Sequence, residues 1–227
     1  MTRPYLLYVS CPRGKTETEL FGKDRLFDVA INDYTGSGQT PAEAEYRYSV
    51  DEWKFRHVHA VMGPLVDNYR AFGFFDDDIG ITTAKLNRLF QIGDLLELAL
   101  WQAALSPQSH DPWRHLFAVP GSLVRRCNVV EIMMPVFSRQ ALKLCWPSFP
   151  RCYSGWGLDS AWPVLLQGLP RAIVDAITAD HLRPVRSQNR KMPNGMTPND
   201  ENTMILRHYG LRTHCDGMRW DWPPRRV

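Results

Sequence analysis

Three consecutive aspartates, Asp76, Asp77 and Asp78, close the apolar run AFGFF that begins at Ala71. Carboxylates packed this closely repel one another, so they need an opposing charge or full hydration. In extended chain, alternate side chains share a side, which points Asp76 and Asp78 together and Asp77 elsewhere. Such a pair suits Mg2+ or Mn2+, hard ions held by one or two carboxylates and completed by phosphate oxygens. An ion held there can bridge the diphosphate of a nucleotide and steady the charge on a leaving group. The plainer alternative is a solvated acidic turn; the apolar strand ahead of it weighs against that without removing it.

These residues need elements to position them. YLLYVS (5–10) and FDVAIND (27–33) read as strands closed by the turn signals CPRG and YTGSG, and AFGFF as a third strand. WKFRHVHAVMGPLVDNY carries Trp53, Val58, Val61, Met62, Leu65, Val66 and Tyr69 at helical spacing. In TTAKLNRLFQIGDLLELALWQAAL, a capping threonine and Leu86, Leu89, Phe90, Leu96, Leu100 and Leu105 predict a helix broken near Gly93. VVEIMMPVF reads as an edge strand because of its proline. RQALKLCWPSF and SAWPVLLQGL read as short helices, and RAIVDAI as a strand or helix. Residues 183–202, rich in Pro, Gly and Asn, predict a mobile loop, and the charged stretch 13–25 a flexible lid. Alternating strands and helices predict an α/β fold, a single Rossmann-like domain over 1–182 with a mostly parallel central sheet flanked by helices. A C-terminal loop and tail, 183–227, would then close the site. In such sheets ligands bind beyond the carboxyl ends of strands, where Ser10, Asn32, Asp33 and the aspartates fall.

With 227 residues, 44% of them hydrophobic and 22% charged, the chain can bury a core as one domain. A net charge of +3 favours anionic ligands slightly and does not mark a nucleic-acid binder. The five cysteines form no CxxC pair, which predicts reduced thiols and a cytoplasmic protein. No run approaches a membrane span. At most the chain is expected to be peripheral at the inner membrane face, with the basic, aromatic tail RWDWPPRR resting there, packed, or disordered.

A strand, D-x-D, then a helix is the pattern of the GT-A class of nucleotide-sugar-dependent glycosyltransferases. WKF (53–55), FFDDDI, LWQAALSPQSH, VEIMMPVFSRQAL and SGWGLD resemble consecutive blocks of an uncharacterised family with that architecture, from about Trp53 to Asp159. The resemblance implies transfer of a sugar from a nucleotide diphosphate sugar to the hydroxyl of a saccharide or lipid-linked saccharide, in surface polysaccharide synthesis, with Mn2+ or Mg2+ as cofactor. It implies Asp76 and Asp78 as metal ligands and Asp76 and Asp77 as donor contacts. GWGLD resembles the later acidic motif that faces the acceptor, which makes Asp159 the general base of an inverting reaction. A first-turn helix aspartate is the plainer role for it, and the two are compatible. ADHLRPVRS resembles a C-terminal histidine segment that closes the metal site, so His181 would be a third ligand through a neutral ring nitrogen, or else simply exposed. Arg183 and Arg186, just after it, would hold the diphosphate. Arg190 and Lys191 read as a solvated basic loop.

Glu131 lies in the apolar VVEIMM and needs a partner, either Arg125 or Arg126; otherwise it faces the acceptor as the second-choice base. Trp156, between two glycines, is a sugar-stacking wall or core packing. Ser10, Asn32, Asp33 and Lys54 are expected at the base, ribose or phosphates of the donor. His57 and His59, at i and i+2, share no helix face and read as structural. So short a chain leaves little room for an acceptor, which implies help from the loop after Arg183, from a homo-oligomer or from an adjoining domain. Two other functions suit the same acidic triple. One is a metal-dependent phosphoryl- or nucleotidyl-transfer enzyme, although no fourth acidic ligand and no GxxxxGK loop stand out. The other is a non-catalytic nucleotide-sugar-binding module.

Overall fold

The run YLLYVSC forms β1 (Tyr5–Cys11), buried along its whole length. Leu6 and Tyr8 face one side and Leu7 and Val9 the other, the signature of a strand covered on both faces. It lies parallel to β2 (Phe27–Asp33), which continues to β3 (Tyr46–Tyr48), and on its other edge to β4 (Ala71–Asp76). The computed structural model describes residues 3–110, 113–184 and 189–212. Among these residues nine strands form the sheet; the remaining five are β5 (Ile79–Gly80), β6 (Leu100–Leu105), β7 (Arg125–Arg126), β8 (Val136–Ser138) and β9 (Arg171–His181). Their order is β3-β2-β1-β4-β8-β6-β9-β5, with β7 beside β9. The β3-β2-β1-β4 half is parallel, as is β6-β9, while β8 runs antiparallel to both β4 and β6. The sheet is therefore mixed, and its parallel half delivers the aspartates.

Helices cover both faces. On one, α1 (Lys54–Val61), α3 (Arg139–Cys145), α4 (Leu158–Leu165) and α5 (Pro198–His208) enclose Phe55, Phe74, Phe137, Phe149 and Trp162. On the other, α2 (Thr83–Leu95) packs Phe90 against Tyr5 and Phe27. Thr82 caps α2 by accepting from Lys85 N, as its sequence suggested.

Several elements differ from the sequence expectation. The helix expected to run on to Leu105 stops at Leu95, and LWQAAL is β6, buried throughout. A strand apolar on both faces has no period to separate it from a buried helix. Gly93 is no break: a Cβ there would come within 2.0 Å of the Trp101 ring. Pro64 shortens the next expected helix to α1, followed by a 3-10 turn at Gly63–Leu65. VVEIMM is loop rather than strand, and only Val136–Ser138 enters the sheet. RAIVDAI is the start of the eleven-residue β9. The expected mobile loop gives way at Pro198 to α5, opened by a capping box in which Thr197 and Asp200 satisfy each other's backbone N–H. The expected lid is pinned beside the acidic loop: Glu17 N donates to Asp77 O (2.8 Å) and Thr18 Oγ1 to Ile79 O (2.7 Å). Among the described residues, Cys11, Cys127, Cys145 and Cys152 are free and buried, and no helix is long and apolar enough to cross a membrane. Arg186 and the tail RWDWPPRR lie outside the described residues.

Candidate active site

β4 ends at Asp76, and the chain turns through Asp77 and Asp78 into β5, which pairs with the end of β9 so that Ile79 stands opposite His181. The turn is held on three sides. Asp76 N donates to Met133 O (2.8 Å), Leu182 N to Asp78 O (3.0 Å), and Thr16 Oγ1 to Asp77 O (3.1 Å). Sheet topology thus joins two segments a hundred residues apart.

His181 Nδ1 lies 2.6 Å from the carbonyl of His110, which can only accept, so Nδ1 carries a hydrogen. The other nitrogen, Nε2, faces Asp78 Oδ2 at 3.6 Å. Burial would lower the His181 pKa, but Asp78 beside it raises it on balance. Burial likewise pushes Asp78 up, and His181 and Arg183 outweigh it and hold its carboxyl below the usual value. Asp76 Oδ1 accepts from Lys54 Nζ (2.6 Å), which also reaches Ile132 O (2.5 Å). Burial nonetheless raises Asp76 above its ordinary value against the pull of Lys54. Arg183 donates from Nε to Asp78 (3.1 Å) and from a terminal nitrogen to Asp77.

Each carboxylate of the triple therefore has a cationic neighbour. Among the described residues no three His, Cys, Asp or Glu side chains converge. The expected trio of Asp76, Asp78 and His181 is represented by the pair Asp78–His181, with Asp76 turned to Lys54. The pair still fits a divalent ion: an imidazole fixed by a carbonyl at Nδ1 presents Nε2 beside a carboxylate, the donor set that Mn2+ or Mg2+ accepts with further oxygens.

Beside the triple opens a cavity of about 790 Å³. Its wall includes Ser10, Lys54, Asp76 and Asp77, four of the expected donor contacts. Asn32 and Asp33 are not part of it. Asn32 clamps both backbone groups of Val50 (2.9 and 3.0 Å). Asp33 accepts from Arg13 N, Thr35 N and Oγ1, Ser37 Oγ and Gln39 N; against the upward push of burial, these donors hold it ionised well below the usual range. Both organise the loop after β2. Trp156 is half-buried outside the cavity wall.

The two expected bases stand differently. Asp159, in the first turn of α4, is 5% exposed, accepts from Ser160 N (2.8 Å) and is not part of the cavity wall. Glu131 accepts from Met133 N (2.5 Å), and its charge helps to raise the His181 pKa. Arg125, expected beside Glu131, is instead paired with Asp175 (2.7 Å) and with the carbonyls of His115 and Phe117.

By sequence the chain matches no protein-family model and no curated protein. By structure it is similar to GalNAc-T7, solved with UDP, GalNAc and Mn2+, with TM-score 0.58 and 8% identity over 91% of this chain. It is also similar to the mannosyltransferase PcManGT from Pyrobaculum calidifontis, solved with GDP-Man and Mn2+, with TM-score 0.52 and 10% identity over 82% of this chain. The likeness is one of fold. It bears out the α/β architecture that the resemblance to GT-A enzymes implied. The chain spans 49% and 59% of those two proteins, about half of their length.

The sequence reading missed several residues of the cavity wall: Tyr34, Trp53, Tyr153, Ser154, Arg190 and Lys191. Burial, then Asp77, pushes the Tyr34 hydroxyl up to about 12, so it stays protonated beside the acidic turn. Trp53 and Tyr34 follow or precede polar residues at element ends, a signal that sequence shows but cannot direct inward.

Proposed function

We propose that the chain is a metal-dependent glycosyltransferase that moves a sugar from a nucleotide diphosphate sugar to an acceptor hydroxyl. The observation that carries this reading is the Asp78–His181 pair, 3.6 Å apart, with Asp76 and Asp77 of the same acidic turn lining the cavity beside it. It is supported by the fold shared with two proteins solved with Mn2+ and a nucleotide. Mn2+ or Mg2+ held by Asp78 and His181 would supply the positive charge that a departing diphosphate needs. Lys54 then anchors Asp76, Arg183 turns from the carboxylates to phosphate oxygens, and Arg186 is assigned to the same anion. Ser10 and Tyr34 line the donor side.

For the acceptor proton we propose a carboxylate base in an inverting reaction. Asp159 is the assignment that the motif implies. Glu131 is the second, supported by its influence on His181. Asp159→Asn and Glu131→Gln separate them: the base is the residue whose amide variant loses about a hundredfold or more in kcat, within the usual range for general base catalysis, while nucleotide affinity holds. Product and donor anomers compared by NMR test inversion. Calorimetry of UDP and GDP with and without Mn2+ tests the whole reading; nucleotide binding indifferent to the metal would overturn it. A donor-hydrolysis panel then identifies the sugar, and a saccharide or lipid-linked acceptor of surface polysaccharide synthesis is the class to screen first.

A further inference from the structure

Four acidic residues line the cavity, and three of them are already answered by a base. Asp76 has Lys54, Asp77 has Arg183, and Glu52 lies 3.4 Å from Arg56. On the same wall Arg190 and Lys191 make no ion pair among the described residues, and only the exposed Asp51 remains to set against them. The Arg190 guanidinium carbon lies over the Trp53 ring, 5.0 Å from its centre, a cation–π contact that leaves its N–H groups to bond elsewhere. These two cations are carried on a braced turn. Met192 N donates to Met196 O (2.7 Å), Gly195 N to Met192 O (2.8 Å), and Met192 is buried.

The brace is Glu201 of α5. Its fully buried carboxylate accepts from Asn194 Nδ2 (2.7 Å) on that turn, and from Tyr153 N (2.9 Å), Ser154 N (2.8 Å) and Ser154 Oγ (2.7 Å) on another stretch of the cavity lining. One carboxylate thus sets the spacing between a basic wall and a wall bearing an aromatic ring and a hydroxyl.

We propose that this part of the cavity is an acceptor subsite selective for a saccharide bearing an anionic group, a carboxylate or a phosphate, which Arg190 and Lys191 receive. The assignment rests on the glycosyltransferase reading. Asp78 and His181 do not line this cavity, so the donor diphosphate belongs at its Asp76–Asp77 margin, and the second pair of cations is left for a different anion. Glu201 is a positioning residue here.

The test is Trp fluorescence titration, without nucleotide, of a disaccharide ending in glucuronic acid, its neutral glucose counterpart and the same glucose disaccharide carrying a phosphate. The wild type is expected to bind one or both acidic sugars about tenfold or more tightly than the neutral one, in line with a charge-assisted hydrogen bond. Arg190→Gln with Lys191→Gln should abolish the preference and leave Mn2+-dependent UDP or GDP affinity within about twofold. Equal binding of all three sugars overturns the subsite. So does a parallel loss of nucleotide affinity, which would give the two cations to the donor diphosphate. Failure of nucleotide to bind the wild type with Mn2+ would be seen in its own arm and would strike the donor reading instead.

Discussion

Arg183 donates to both Asp77 and Asp78, so its guanidinium occupies acceptor positions that an ion on Asp78 and His181 would use. Removing it should help the metal and hurt the nucleotide. Arg183→Gln is expected to tighten Mn2+ alone severalfold in calorimetry and to weaken UDP or GDP in the presence of Mn2+. Asp78→Asn and His181→Gln should each weaken Mn2+ by tenfold or more while circular dichroism stays unchanged, because each deletes one of the two paired donors. The sequence displayed the acidic triple because its charge interrupts an apolar strand. It could not display the partners: Lys54 and Arg183 are ordinary cations until the fold sets them on Asp76, Asp77 and Asp78. Asn32 and Asp33 show the reverse error, since a polar strand end looks the same whether its side chain faces a ligand or its own loop.

Strands β1, β2 and β4 were legible nearly to the residue, because short apolar runs end in strong turn signals. The boundary between α2 and β6 was not, because an unbroken apolar run serves either element. Gly93 is what lets the two pack, with the Trp101 indole over the helix and its Nε1 donating to Leu89 O (3.0 Å). Gly93→Ala should cost about 1–3 kcal/mol by overpacking, with a fall in melting temperature of about 2–4 °C for each kcal/mol, read by calorimetry. The opening of α5, residues 198–202, reads as loop because its sequence is polar. Its capping box and the buried Glu201 explain why it folds as a helix. Glu201→Gln keeps the shape but turns one accepting oxygen into a donor among four N–H and O–H groups. A loss of about 1–3 kcal/mol is expected, checked by urea unfolding, with weaker acidic-sugar binding beside it.

The packing of the whole molecule buries His57 at 2% exposure, its Nδ1 bonded to the Tyr8 hydroxyl (2.8 Å) and its Nε2 without a hydrogen-bond partner among the described residues. Burial pulls its pKa from 6.5 down to about 4. A histidine depressed in the folded state adds stability that is complete above the unfolded value. That stability is lost as pH falls from about 6.5 to about 4, up to about 3 kcal/mol in all. Thermal melts from pH 7.5 to 4 should show His57→Gln losing less than the wild type across that window, and a constant gap between the two would refute the assignment. Sequence alone determined which residues carry charge, where apolar strands end, and that strands alternate with helices, because these follow from neighbours a few positions apart. Only the tertiary structure decided that His181 meets Asp78, that Arg125 serves Asp175 rather than Glu131, and that Glu201 joins two walls of one cavity. Those contacts span from seven to a hundred residues, and the packing of helices on a mixed sheet, rather than any local pattern, brings them into reach.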